Sequence, residues 1–216
     1  MENNKVIVAG KVHSPLTFSH EVYGEGFYTF NLAIPRLSNY IDVLPVTISE
    51  RLIGGWDIVE GTEVVIEGQL RSYNKLIDGK NRLVLTVFAR DIHLKEEKVK
   101  NPNLIFLNGF ICKKPIYRTT PLNREIADIL LAVNRAYNKS DYIPAIAWGR
   151  NARYCEKLKV GDNIKIWGRI QSRPYQKKLP SGEVLEKVAY EVSISKLEVV
   201  KDEGEKDKDD PREKPE

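Results

Sequence analysis

The sequence has few residues of the kinds that hold metals or build reactive centres. Its 216 residues include two cysteines, one methionine and three histidines. Cys112 and Cys155 stand far apart and form no CxxC motif, which argues against a disulfide framework and against a zinc site of the usual spacing. The chain also has no HExxH, GxSxG or P-loop motif. We therefore expect a protein that is not an enzyme and that uses neither a metal nor another cofactor.

Long apolar stretches are missing as well. No run of 18 or more apolar residues occurs, so no membrane-spanning helix is predicted. The first residues, MENNKVIVAGK, have a mixed polar start and only a short apolar run, unlike a signal peptide. These absences predict a cytoplasmic protein without a membrane partner.

Charge is distributed unevenly along the chain. The formal net charge is +4, composed of −1 for residues 1–100, +8 for residues 101–200 and −3 for residues 201–216. A polyanion would therefore bind mainly to the middle block.

Two halves of the chain repeat one pattern. At an offset of 99, LAIPR (32–36) falls on LAVNR (131–135), and DVLPV (42–46) falls on DYIPA (141–145). Further on the offset becomes 100, where VEGTEVVIEGQLRS (59–72) falls on KVGDNIKIWGRIQS (159–172). The same order of features over two hundred residues indicates two copies of one unit of about 100 residues.

Each copy has the pattern of a small β-barrel. In the second copy, strands are predicted at 104–111, 126–133, 142–148, 163–170 and 187–199. A short helix is predicted between the third and fourth strands, ending at Gly161. Five strands with one helix at this place is the plan of the OB-fold, an all-β Greek-key barrel. A β-sandwich is the competing architecture.

The second copy resembles bacterial single-stranded DNA-binding proteins. The likeness is carried by GFICKKPIYRTTP, LAVNRAY, DYIPAIAWGR and VGDNIKIWGRIQSRPY, in the family's order. The first copy is similar more loosely, and the arrangement resembles the tandem two-OB-fold form of the family. The resemblance implies that the protein binds single-stranded DNA without strong sequence preference. It would thereby protect the DNA during replication, recombination and repair.

The resemblance also implies a binding site in the second copy. The family's four base-stacking aromatics map onto Tyr137, Tyr142, Trp148 and Tyr175. Independently, Tyr142 and Trp148 are an even number of residues apart on one strand, so they share a face and lie on the order of 20 Å from each other. Nearby cations are expected to contact phosphates, namely Arg118, Arg135, Lys139, Arg150, Arg153, Arg169, Arg173, Lys177 and Lys178.

The first copy lacks these rings. The four equivalent positions hold Ser38, Val43, Ser49 and Lys75. Tyr40 and Tyr73 each lie two residues from a lost position, where period two returns a side chain to the same face, so either ring could partly replace a lost one. We expect residues 1–100 to contribute little to DNA affinity.

The predicted organisation is a first OB-fold at 1–95, a linker at 96–102, a second OB-fold at 103–200 and a disordered acidic tail at 201–216. The resemblance implies a homodimer with four barrels, located at the nucleoid. Family members usually end in a hydrophobic tip that recruits replication and repair proteins. This sequence ends in REKPE, which leaves recruitment of such partners open.

Two other functions are compatible with the same residues. Aromatic rings and a basic groove also serve RNA, and nothing in the sequence discriminates against the 2′-hydroxyl. An OB-fold can also act as a protein–protein adaptor.

Overall fold

The computed structural model describes residues 3–54, 58–77, 79–95 and 99–200. Part of the expected linker and the whole expected tail at 201–216 lie outside these residues.

In the described residues, the first half of the chain forms six strands and one short helix. The order is β1 (Asn4–Val12), β2 (Thr17–Val22), β3 (Glu25–Pro35), β4 (Ile41–Ser49), α1 (Glu50–Ile53), β5 (Glu63–Ile77) and β6 (Lys80–Leu94). Ser49 caps the helix, since its hydroxyl accepts a hydrogen bond from the backbone N–H of Arg51.

The second half repeats this order. It consists of β7 (Asn103–Ile111), β8 (Ile116–Thr119), β9 (Glu125–Asn134), β10 (Ser140–Trp148), α2 (Arg150–Cys155), β11 (Asn163–Lys178) and β12 (Val184–Val199). Each helix lies between the third and fourth strands of its barrel, as expected. Neither helix, nor any other within the described ranges, is long and apolar enough to cross a bilayer.

Five strands in each half close into a barrel. In the first half, β1, β3, β4, β6 and β5 pair in that order, and β5 pairs back with β1. In the second half, β7, β9, β10, β12 and β11 close in the same way. The pairs β4–β6 and β10–β12 are parallel and the others are antiparallel. Two five-stranded OB-fold barrels are thus confirmed, and the β-sandwich alternative is wrong.

The sixth strand of each half is an addition to the barrel. Within the described part of the chain, β2 pairs only with β3 and β8 only with β9, so both stand at the ends of the sheet order. All six side chains of β2 are exposed, which explains why the sequence shows no alternation of buried and exposed residues there.

Matching glycines bend the fourth barrel strands. The pairing register shifts beside Gly68 in β5 and beside Gly168 in β11. A Cβ atom at Gly68 would overlap the carbonyl oxygen of Phe88, and one at Gly168 would overlap that of Ser193. The backbone of the neighbouring strand therefore approaches as closely as only glycine permits. The repeat retains these two glycines for a geometric reason.

A direct strand pair joins the barrels. β1 pairs antiparallel with β7, with Val6 opposite Ile105, so the twelve strands form one continuous sheet. The buried aliphatic side chains lie inside the barrels, for example Leu32 and Ile66 in the first and Leu131 and Ile166 in the second.

Two buried aspartates lock the barrels together reciprocally. Asp42 of the first barrel accepts a hydrogen bond of 2.8 Å from the backbone N–H of Ser172, whose hydroxyl accepts from the backbone N–H of Val43. Asp141 of the second barrel accepts a bond of 2.7 Å from the backbone N–H of Ser72. Both carboxylates have no exposed surface. The two contacts use positions matched by the repeat, so the barrels are related by an approximate two-fold axis.

Candidate nucleic-acid interface

Strand β10 presents two large rings to solvent. Tyr142 is 48% exposed and Trp148 is 37% exposed, while Ile143, Ala145 and Ala147 between them are buried. This alternation places the two rings together on the outer face. The indole N–H of Trp148 donates to the hydroxyl of Ser193 at 3.1 Å, which fixes the edge of the ring and leaves a face open.

The other two rings expected from the sequence are also exposed. Tyr137 lies in the turn between β9 and β10, has a left-handed backbone (φ 60°) and is 93% exposed. Tyr175 is 38% exposed on β11, opposite Lys187 of β12. None of the four rings points into the hydrophobic interior.

Trp148 lines a groove that runs between the two barrels. The groove has a volume of about 570 Å³. Its walls are Arg36, Tyr40, Arg124, Trp148, Arg169, Gln171, Ser172, Arg173, Pro174 and Ser193. Two rings and four guanidinium groups therefore meet in one open cleft, with one ring from each barrel.

The first barrel holds its side of the groove in place through ionic contacts. Arg36 donates to both carboxylate oxygens of the buried Asp42, at 2.7 and 2.5 Å. The Arg36 guanidinium carbon lies 4.3 Å from the centroid of the Tyr40 ring, within cation–π range. Tyr40 is 41% exposed, so its ring is positioned and still accessible.

The charge at this junction is not balanced. Arg169 also reaches Asp42, at 3.5 Å, so two guanidinium groups share one carboxylate. Hydrogen bonding to Asp42 raises the pKa of Arg36. Burial lowers the pKa of Arg169, and the neighbouring Arg36 lowers it further. The excess positive charge favours an anion such as a phosphate group in the groove.

Tyr142 lies at the other junction between the barrels. Its backbone N–H donates to the hydroxyl of Ser72 at 2.7 Å. Next to it, Asp141 pairs with Arg71 of the first barrel at 3.1 Å and with Arg135 at 3.4 Å. The expected ring set therefore spans both junctions: Trp148 at the first, and Tyr142 with the nearby turn of Tyr137 at the second.

The expected cations differ in their surroundings. Arg118 pairs with Asp128, Arg153 with Glu125 and Arg173 with Glu191. Arg135 and Arg169 lie against buried aspartates and hold the junctions as well as facing the surface. Four of the expected cations are exposed and have no carboxylate within 4.0 Å among the described residues: Lys139, Arg150, Lys177 and Lys178.

Sequence reasoning missed several residues of this surface. Arg36 and Arg124 line the groove but were not expected there, and Tyr40 was expected only as a partial replacement. Phe110 of β7 is 42% exposed and lies opposite Ala132, which in turn lies opposite Tyr142, so all three share one face. Contacts between strands a hundred residues apart leave no local signal in a sequence.

Known proteins resemble this chain in sequence and in fold. The family described as "Single-strand binding protein family" matches residues 102–200. Single-stranded DNA-binding protein B of Bacillus subtilis (strain 168) is 32% identical over 84 residues, covering 34% of this chain and 72% of that protein. Single-stranded DNA-binding protein 1 of Staphylococcus aureus (strain COL) is 35% identical over 81 residues, covering 34% of this chain and 48% of that protein. For several such relatives, the matched region spans about half of their length.

The fold match extends over both barrels. The crystal structure of wild-type single-stranded DNA binding protein from Thermus aquaticus superposes with a TM-score of 0.74 at 21% identity, covering 94% of this chain and 95% of that chain. At this identity the likeness concerns the fold alone. The sequence matches show that the chain belongs to the single-strand binding protein family, and its own strand pairing shows a form with two OB-fold barrels in one chain.

Proposed function

We propose that this chain binds single-stranded DNA without strong sequence preference, and so protects it during replication, recombination and repair. The observation that carries the proposal is the groove between the barrels, where Trp148 and Tyr40 stand among four arginines. The family match covers the second barrel, and relatives of the chain are named single-stranded DNA-binding proteins, which supports the same ligand.

The chemistry of the groove suits an unpaired strand. Bases of a single strand have free faces, and an aromatic ring can stack on any of the four bases, contributing about 1–3 kcal/mol each. Guanidinium groups beside the rings neutralise phosphates, and the released counterions make the affinity salt-dependent. Neither contact reads base edges, so the expected binding tolerates any sequence.

We assign the binding surface to the second barrel and the groove. Its stacking rings are Tyr137, Tyr142, Trp148 and Tyr175, joined by Tyr40 across the junction. Its phosphate contacts come from the expected cations of the second barrel and from Arg36 and Arg124 of the groove. We also propose that two chains associate as a homodimer with four barrels, acting in the cytoplasm.

Substitutions of Trp148 test the role of stacking. Trp148→Leu and Trp148→Phe both remove the hydrogen bond to Ser193, but only phenylalanine retains an aromatic face. Stacking predicts that Trp148→Leu weakens binding of a fluorescent oligo-dT by about tenfold in an anisotropy titration, and that Trp148→Phe loses less than half of that free energy. Equal affinity for wild type and Trp148→Leu would remove Trp148 from the stacking surface, whereas no binding of oligo-dT by the wild type would refute the proposal and favour an adaptor role. Equal affinity of the wild type for oligo-dT and oligo-U would extend the ligand to RNA.

A further inference from the structure

A row of side chains crosses the second barrel at Trp148. Arg118 of β8 lies opposite Ile126 of β9, and Ile126 lies opposite Trp148 of β10. On the other side Trp148 bonds to Ser193 of β12, which lies opposite Arg169 of β11. Paired residues on adjacent strands have their side chains on the same face, and the hydrogen bond places Ser193 on the face of Trp148. These five therefore form one row on the outer side of the barrel, in which Ile126 is covered by its neighbours.

The first barrel has the same row with different residues. His20 of β2 lies opposite Phe27 of β3, and Phe27 lies opposite Ser49 of β4. Phe88 of β6 lies opposite Gln69 of β5. Ser49 takes the place of Trp148, while Phe27 and Phe88 take the places of Ile126 and Ser193. The ring that the first barrel lacks on its third strand is therefore present on both neighbouring strands.

These rings form a contiguous platform on the barrel surface. The His20 and Phe27 rings are stacked with centroids 5.1 Å apart and an interplanar angle of 10°. The Phe27 and Phe88 rings are 5.9 Å apart at 35°. His20 is exposed, and Phe27 and Phe88 are half-buried. The interior of these strands is filled by other side chains, among them Phe30 and Val87.

Two arginines stand beside the platform. The side-chain oxygen of Gln69 accepts hydrogen bonds from Arg71 and, at 3.1 Å, from Arg90. Arg90 follows Phe88 by two residues on β6, so it projects from the same face. The Glu25 carboxylate is also near; it accepts from the Ser49 hydroxyl and lies 3.7 Å from Arg51. Arg71 is paired with Asp141, so Arg90 is the cation of this row that has no carboxylate within 4.0 Å among the described residues.

We propose that this row of the first barrel, formed by His20, Phe27, Phe88, Arg71 and Arg90, is a second stacking surface for single-stranded DNA. The proposal rests on the DNA-binding function proposed above. It replaces the expectation that residues 1–100 contribute little, because that expectation considered only the positions equivalent to the second barrel's rings. A strand long enough to reach both barrels binds both rows.

The second barrel supplies a matched substitution. Phe88→Ser introduces the residue type that the second barrel carries at the same place in the row. Phe18→Ser is the control, because Phe18 is 57% exposed and contacts Tyr28, whose side chain lies on the opposite face of β3 from Phe27. Both changes remove one partly exposed phenyl ring from the first barrel.

The experiment compares the full-length variants on two lengths of oligo-dT. An OB-fold covers about 4–16 nucleotides, so oligomers of about 8 and about 40 nucleotides separate one barrel from two. We expect Phe88→Ser to bind the longer oligomer about tenfold more weakly and the shorter one within twofold of wild type. Phe18→Ser should change neither affinity. Equal affinity of Phe88→Ser and Phe18→Ser for the longer oligomer overturns the inference.

The outcomes separate this inference from the proposed function. If the wild type binds neither oligomer, the proposed function fails. If Trp148→Leu weakens binding but Phe88→Ser does not, DNA binding stands and only the second stacking surface fails. If Phe88→Ser unfolds, Arg90→Gln is a second variant, and it leaves all the rings in place. It should lower the slope of log affinity against log salt by about 0.7 for the longer oligomer. An unchanged slope with Arg90→Gln also counts against the platform.

Discussion

Replacing Asp42 by asparagine should destabilise the whole molecule, because one carboxylate joins the two barrels. Asp42 is fully buried, accepts two hydrogen bonds from Arg36, lies 3.5 Å from Arg169 and accepts a bond of 2.8 Å from the backbone N–H of Ser172. Asparagine has nearly the same shape, but it removes the negative charge and one acceptor oxygen.

The magnitude follows from the number of groups left without a partner. Removing one member of a fully buried ion pair costs about 3–5 kcal/mol. Here the Arg36 side chain is 22% exposed and that of Arg169 is 37% exposed, so water offsets part of this cost. The amide oxygen of asparagine can still accept from the Ser172 N–H, which recovers about 1 kcal/mol. We therefore expect Asp42→Asn to lower the free energy of unfolding by about 2–4 kcal/mol.

Urea unfolding followed by circular dichroism measures this loss. Asp128→Asn is the matched control, because Asp128 also accepts two hydrogen bonds from one arginine, Arg118, at 2.7 and 3.3 Å. That pair is exposed, with 49% and 41% of the two side chains accessible, so its loss should cost less than about 1 kcal/mol. Equal losses in the two variants would refute the claim that the aspartate junction holds the barrels together.

Three further measurements test separate parts of the structure. Gly168→Ala should lower the free energy of unfolding by about 1–3 kcal/mol, because the new Cβ would overlap the backbone of β12. The control Gly54→Ala should change it by less than about 0.5 kcal/mol, since its Cβ would meet nothing closer than 3.5 Å. Equal effects of the two substitutions would contradict the close approach of the strands at Gly168. Burial raises the pKa of the Cys155 thiol to about 11. At pH 8 a thiol reagent should therefore modify the half-buried Cys112 well before Cys155. Labelling of both cysteines at the same rate in the folded protein would contradict this. Arg173→Gln should lower the slope of log DNA affinity against log salt by about 0.7, and an unchanged slope would remove Arg173 from the phosphate contacts.

The barrels were predictable because their geometry leaves local signals. Alternating apolar residues specify the strands, and Gly68 and Gly168 mark bends that only glycine allows. The added strands β2 and β8 were not predictable, since their side chains are mostly exposed and show no alternation. The extension of β11 to Lys178 was also missed, because this end of the strand pairs only with β12 and is exposed throughout.

The candidate binding surface was predictable only in part. Tyr142 and Trp148 share a strand, so their spacing alone places them on one face. Arg36 and Tyr40 belong to the first barrel, and the contact between Asp42 and Ser172 places them in the groove beside Trp148. No local sequence pattern reveals such a contact between barrels. Arg169 has a further role that the sequence did not reveal: besides its place near the rings, it makes an ionic contact with Asp42.

Photocrosslinking tests the assigned binding surface most directly. An oligo-dT carrying 5-iodouracil, irradiated on the full-length protein and followed by mass spectrometry, marks the aromatic side chains on which bases lie. The account predicts adducts on Trp148 and Tyr142, with Tyr40 labelled at the groove. Adducts found only on rings away from these faces, such as Trp167 beside Phe106, would contradict it.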